Sequence, residues 1–218
     1  MARKTKAEAE ETRERILDAA ERLFLAHGVM QTSLEQIAEA AGVTRGAIYW
    51  HFADKVQLFH AMHERIRLPQ EDMVEQAAAS GHADPLGLLH RIAIDCLKTL
   101  AADERRQRVF TILLFRCEYV GTMVRALNRQ KDANAQMRAN VVRIFTMASE
   151  NGTLSPAWTP QIAAMTFEAL VTGLFMNWLR FDHGFDLVNV GSGCLDNLFR
   201  TFRNGSALAV EEMARAGS

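Results

Sequence analysis

Apolar residues recur along this chain at three- and four-residue intervals, and the runs are broken by glycine, proline or a capping side chain. Ile16, Leu17, Ala20, Leu23 and Phe24 share one face of a helix expected from about Glu8 to His27, with Gly28 as its stop. Leu34, Ile37 and Ala38 give a short second helix one apolar face. Ser33 caps it with Gln36 at the third helical position, or Thr32 does so with Glu35. Gly42 ends it in a left-handed residue, with Val43 as the apolar contact beyond. Thr44 caps a third helix, Arg45 to about His51, and Asp54 caps a fourth with Gln57. The fourth starts at Lys55, carries Phe59, Met62 and Ile66, and is kinked or broken at Pro69.

Further on, Asp84-Pro85 and Thr159-Pro160 are cap-then-proline helix starts. Stretches near 86–101, 105–115 and 121–150 keep helical periodicity, the last ended by Asn151-Gly152. Gln161–Phe181 reads as a helix apolar around most of its circumference. Asp186 caps a final helix to about Arg203, weakened by Gly191 and Gly193. No stretch alternates with period two long enough to make a sheet. The fold is expected to be all-α.

Two short helices across a glycine-containing turn form a helix-turn-helix, here at about 32–51, a shape that carries a row of side chains into a DNA major groove. The planar fork of Arg45 matches O6 and N7 of guanine. Thr44 suits a thymine methyl or a phosphate, and Gly46 lets the backbone approach closely. Tyr49, His51 and Lys55 suit phosphates, as do the open N–H groups where helices two and four begin, which brings Thr32 and Ser33 onto the same surface. Trp50 packs on sugar-phosphate or belongs to the small core, and Phe52 is a core aromatic.

Thr32, Ile37-Ala38, Ala41-Gly42-Val43, Gly46-Ala47-Ile48-Tyr49, His51-Phe52, Lys55 and Leu58 resemble the DNA-binding signature of the TetR family of bacterial repressors. Ala2 to Lys6, Thr44 to Phe52 and Cys117 to Gly121 resemble its AcrR and TtgR type, which represses multidrug efflux operons. The likeness is dense over about the first third of the chain. It implies about nine helices, with a DNA-binding domain over 1–67 and a ligand-binding and dimerisation domain over 68–218. It also implies a homodimer on a palindromic operator, built by pairing the Gln161–Phe181 and Asp186–Arg203 helices with their mates. Release from double-stranded operator DNA would follow binding of a small hydrophobic ligand. A regulator of a metabolic or catabolic operon, or a metal-responsive repressor, shares the fold and differs in effector. A protein-only adaptor using the same motif would show no salt-dependent DNA affinity.

Within the second domain, Phe110, Leu113, Leu114, Met137, Val141, Phe167, Val171 and Phe175, with Ile66 from the first, are candidate lining for an apolar pocket. For any one of them alone, filling a packed core is the better reading. Glu168 stands apart, because a carboxylate among Met165, Phe167 and Val171 needs a partner: a cationic ligand, an arginine, or solvent at a dimer edge.

Composition narrows the partners. Hydrophobic residues make up 49% of the 218 positions and the formal charge is −1, so the chain as a whole has no basic footprint. Residues 1–67 balance too, with ten Lys and Arg against ten Asp and Glu; only Arg3, Lys4 and Lys6 precede any acid, a short basic arm or a solvated end. Cys96, Cys117 and Cys194 have no ligand-like spacing, and with no signal peptide they point to free thiols in the cytoplasm. The apolar 162–179 run contains Glu168 and Asn177 and lacks a positive flank, so a helix buried on two sides is expected rather than a membrane span. His60, His63 and Glu64 run in the order His-x-x-His-Glu, which matches neither zinc protease pattern, and read as two exposed histidines. With no phosphate loop, nucleophile elbow or dinucleotide fingerprint, no catalytic residue, cofactor or metal is expected.

Overall fold

The computed structural model describes residues 6–66 and 69–204; the expected basic residues Arg3 and Lys4 lie outside them, and Lys6 is the first residue of the first helix. Ten α-helices and one 3-10 turn (Gly121–Met123) make up the described residues. They are α1 (Lys6–His27), α2 (Leu34–Ala40), α3 (Arg45–His51), α4 (Lys55–Glu64), α5 (Pro69–Ser80), α6 (Pro85–Ala102), α7 (Glu104–Phe115), α8 (Val124–Glu150), α9 (Pro160–Arg180) and α10 (Leu187–Asn204). The additional helix is α5. The expected kink or break at Pro69 is also a start, since a proline suits the first turn of a new helix, where its missing N–H is not needed.

The chain divides into two compact units, Met1–Arg67 with Glu104–Lys131, and Leu68–Asp103 with Asp132–Ser218. The first thus takes in α7 and the start of α8 as well as the contiguous segment that ends at Arg67. Its core is built from Ile16, Leu17 and Phe24 of α1, Ile37 of α2, Ile48 of α3, Leu58, Phe59 and Met62 of α4, and Val109 and Ile112 of α7. Phe24 and Tyr119 stand against Phe59 at 6.5 and 6.3 Å between ring centroids.

A cluster of charges sits at one side of this core. Arg65 lies 2.7 Å from both Glu14 and Asp18 and 2.8 Å from Glu21, with Arg105 also on Asp18 at 3.1 Å. Glu21 is almost wholly buried, so its carboxylate is viable because guanidinium groups, Arg65 nearest among them, replace the water it lost. Burial nevertheless pushes the Glu21 carboxyl up from its ordinary value, against the pull of Arg65, Arg105 and Arg108.

The second unit centres on aromatic edges. Phe202 meets Phe145 at 5.0 Å, Trp158 at 4.9 Å and Phe199 at 5.4 Å, and Phe167 meets Phe199 at 5.9 Å. Asp84 and Thr159 cap α6 and α9 ahead of their prolines, as expected, and Asp186 accepts from the Asn189 N–H at the start of α10. Gly191 does not weaken α10 idly. A Cβ there would come within 2.5 Å of Leu97 Cδ1, so the small residue lets α10 lie against α6. Cys96, Cys117 and Cys194 are unbridged.

α9 departs from expectation in one respect. It was expected to be buried on two sides, yet Ile162 and Met165 are 57% and 51% exposed within this chain. Among the described residues it is the helix long and apolar enough to cross a membrane. His60 and His63 differ as well: both are half-buried, and burial pushes both imidazoles below their ordinary value.

Replacing Arg65 with Met should cost about 3 kcal/mol at neutral pH, because it leaves Glu21 buried with less compensation. A folded-state pKa raised above the unfolded one favours folding only at acid pH and loses that contribution as pH rises through it. The deficit should therefore shrink when urea unfolding is repeated near pH 5; a deficit that grows there would show that the pairing is not the cause.

Candidate nucleic-acid interface

Three short helices of the first unit are set by their caps. At α2 the box is reciprocal: Ser33 Oγ accepts from the Gln36 N–H at 3.1 Å, and Gln36 Oε1 accepts from the Ser33 N–H at 2.7 Å. Of the two capping residues left open by the sequence, Ser33 is therefore the one used. Thr32 is buried, and its hydroxyl donates to the Gly28 carbonyl at 2.8 Å, so it is withdrawn from the surface to which the sequence assigned it. The end of α2 is closed by Val43 N–H on the Ala38 carbonyl and Gly42 N–H on that of Glu39, with Gly42 at φ +63°. Thr44 Oγ1 then accepts from Ala47 N–H at 3.1 Å to begin α3, and Asp54 Oδ1 from Gln57 N–H at 2.8 Å to begin α4.

Between these caps, α3 buries one residue, Ile48, which enters the core. Everything else is turned outward or lies at the margin. Arg45 and Trp50 are 73% and 74% exposed, Gly46 and Tyr49 are exposed, and His51 is half-buried against Trp50. Phe52 is in the core, with the Arg13 guanidinium 5.6 Å above its ring. Beside α3, a cleft of about 690 Å³ runs between Ala9, Thr12 and Arg15 of α1 and Thr44, Trp50 and His51. The result is a convex helix with a cation and aromatics on its crest, next to a groove.

Lys55, expected on a phosphate, also has partners inside the protein. Its ammonium donates to the Val29 carbonyl at 2.9 Å and that of Met30 at 3.4 Å, tying α4 to the loop after α1. Partial burial pushes this ammonium below its ordinary value. The residue that sequence reasoning missed is Glu35, which accepts from Arg45 at 3.1 Å and from the Tyr49 hydroxyl at 3.3 Å. No spacing rule pairs positions ten apart across a turn; only the crossing of α2 and α3 does.

The ten candidate pocket residues fall into both units. Ile66 and Leu113 are buried in the first core, where Phe110 also packs. Val141 and Phe167 are buried in the second unit, while Met137, Val171 and Phe175 are half-buried. Of the three partners open to Glu168, the structure supplies an arginine: Arg138 Nε donates to Oε2 at 2.8 Å. The other oxygen, Oε1, is buried without a hydrogen-bond partner. Among the described residues no group of three or more His, Cys, Asp and Glu is gathered for a metal ion.

Residues 16–62 match the family model for bacterial regulatory proteins of the tetR family, and residues 84–204 that for the C-terminal region of MAATS-type transcriptional repressors. The HTH-type transcriptional repressor BepR of Brucella suis biovar 1 (strain 1330) is 43% identical over 201 residues, spanning 92% of this chain and 96% of BepR. Among solved structures, NalD, the secondary repressor of the MexAB-OprM multidrug efflux pump in Pseudomonas aeruginosa, superposes with a TM-score of 0.81 at 40% identity, covering 89% of this chain and 97% of NalD. A complex of SmeT with triclosan has a TM-score of 0.77 at 32% identity, covering 88% and 91%. SmeT is the repressor of the Stenotrophomonas maltophilia multidrug efflux pump SmeDEF.

Since α3 is aimed by the turn that Gly42 closes, Gly42→Ala should destabilise the protein by about 1–2 kcal/mol, the cost of a left-handed alanine. Chemical unfolding measures it, and an unchanged midpoint would mean that the turn relaxes freely.

Proposed function

Given that the chain belongs to the TetR family of bacterial regulatory proteins, we propose that it is a cytoplasmic, dimeric repressor of a multidrug efflux operon, released from a palindromic operator by a small hydrophobic effector. The observation that carries the DNA-reading part is α3 itself, held by caps and by Ile48 with Arg45, Gly46, Tyr49 and Trp50 facing outward. Arg45 reads a guanine edge through O6 and N7. Thr44, Tyr49, Trp50 and His51, with Ser33 at the start of α2, fix the register on sugar and phosphate. Lys55 acts at one remove, by holding the loop that α4 abuts.

A dimer is supported by the apolar face that the single chain leaves uncovered. Ile162 and Met165 of α9 and Val190 of α10 are exposed, and the two helices pack on each other. Two-fold pairing of this face would set two copies of α3 about one helical turn of DNA apart, or a multiple of it. Sedimentation should show a dimer, and an Ile162→Glu, Met165→Glu double variant a folded monomer that has lost operator binding. A wild-type monomer at micromolar concentration would end the dimer reading.

The effector class is supported by relatives of this length and identity that are efflux repressors, one solved with triclosan. A ligand that favours a state unable to span both half-sites shifts the population off DNA. Linkage then requires that ligand and operator weaken each other by the same factor. The test is binding to duplexes tiled across the gene's own upstream region, at defined salt, with and without a panel of hydrophobic drugs. Tight, palindrome-dependent binding weakened by drugs is expected, and Arg45→Ala should cost about 1–3 kcal/mol on that duplex alone. Binding untouched by every drug would discard the multidrug reading, and no sequence-dependent binding would discard the repressor.

A further inference from the structure

We propose that Glu35 is a specificity-determining residue, whose carboxylate holds Arg45 in a base-reading position and withholds it from the phosphate backbone. The inference rests on the helix-turn-helix being the operator-reading surface. Its geometric basis is a closed triangle between α2 and α3. Glu35 Oε1 takes Arg45 Nη2 at 3.1 Å and the Tyr49 hydroxyl at 3.3 Å, and the Arg45 guanidinium lies 5.9 Å from the centre of the Tyr49 ring.

The fold has little use for this triangle. Glu35 and Arg45 are both exposed, and an isolated exposed ion pair contributes little to stability. α2 is capped by Ser33 with Gln36 and α3 by Thr44, so both caps are made without Glu35, whose carboxylate adds a bond to its own N–H in the first turn of α2. What the triangle does control is where a long, flexible cation on a DNA-facing helix can go.

Such an arginine has two destinations. One is a guanine edge, which carries sequence information; the other is a phosphate, which carries none. Phosphates attract it from every register, so an unrestrained Arg45 is open to both. The Glu35 carboxylate offsets the local positive charge and repels phosphate in its own right, while the Tyr49 ring confines the guanidinium plane. A guanidinium has five N–H donors, so the bond to Glu35 leaves a fork free for O6 and N7. A bond from its own backbone N–H and the charge of Arg45 hold the Glu35 carboxyl below its ordinary value, which favours its ionised form.

The experiment compares the wild type with Glu35→Gln and Glu35→Ala on the duplex that the upstream region supplies, and on a scrambled duplex of the same length and composition, across a range of salt. Removing the carboxylate should tighten scrambled-duplex binding about fivefold and steepen its salt dependence by about one phosphate contact. Binding to the operator duplex should change by less than about twofold, so that discrimination falls about fivefold. In an Arg45→Ala background the same Glu35 changes should leave discrimination unaltered. An equal change on both duplexes with an unchanged salt slope would overturn the proposal, as would a loss of discrimination that persists without Arg45. A fall of several degrees in the melting temperature of Glu35→Gln would make Glu35 a structural residue and overturn it as well. Failure of the wild type to prefer the operator duplex would instead overturn the repressor reading, and this inference with it.

Discussion

A seven-residue helix cannot stand alone in water, because nucleating it fixes more backbone than its few hydrogen bonds repay. α3 is such a helix, and the first unit can be understood as what keeps it in place. Thr44 supplies its N-cap, Gly42 turns the chain into it, and Ile48 anchors it in the core that α1, α2, α4 and α7 share. Because one buried residue suffices, the other faces are free to carry chemistry rather than packing. The arrangement explains how so short an element can be both rigid and outward-facing.

Charge is distributed with the same economy. The acids at Glu14, Asp18 and Glu21 converge on Arg65, joining α1 to the end of α4, and Arg105 brings α7 to Asp18. At the other end of α4, Arg125 of α8 reaches the Asp54 cap at 2.6 Å. The ends of α4 are thus fixed by ion pairs and its middle by apolar contact. A protein with this near-neutral composition depends for DNA on a few placed groups instead of a general field, and the Glu35, Arg45 and Tyr49 triangle is the clearest case of placement.

Much of this was legible in the chain. Caps at Ser33, Thr44, Asp54, Asp84, Thr159 and Asp186, and the left-handed stop at Gly42, follow from local rules that hold wherever the same few residues meet. The Arg65 cluster was not read: acids at 14, 18 and 21 share one helix face, but nothing local says which arginine meets them. What was not legible depends on how helices cross. Lys55 turned inward to two carbonyls and Glu35 met Arg45 because of tertiary geometry that no periodicity encodes, while Thr32 turned to Gly28 within the loop that joins α1 to α2. The start of α5 at Pro69 was missed because proline both ends and begins helices, and only the following residues decide which.

In the proposed complex two copies of α3 read a palindrome through Arg45. Methylation interference on the upstream DNA tests it most directly, because methylating guanine N7 in the major groove removes one acceptor of the arginine fork. Two symmetric interfering guanines, one in each half-site, are expected for the wild type, and their disappearance for Arg45→Ala. Interference at a single unpaired position, or a pattern that Arg45→Ala leaves intact, would contradict it.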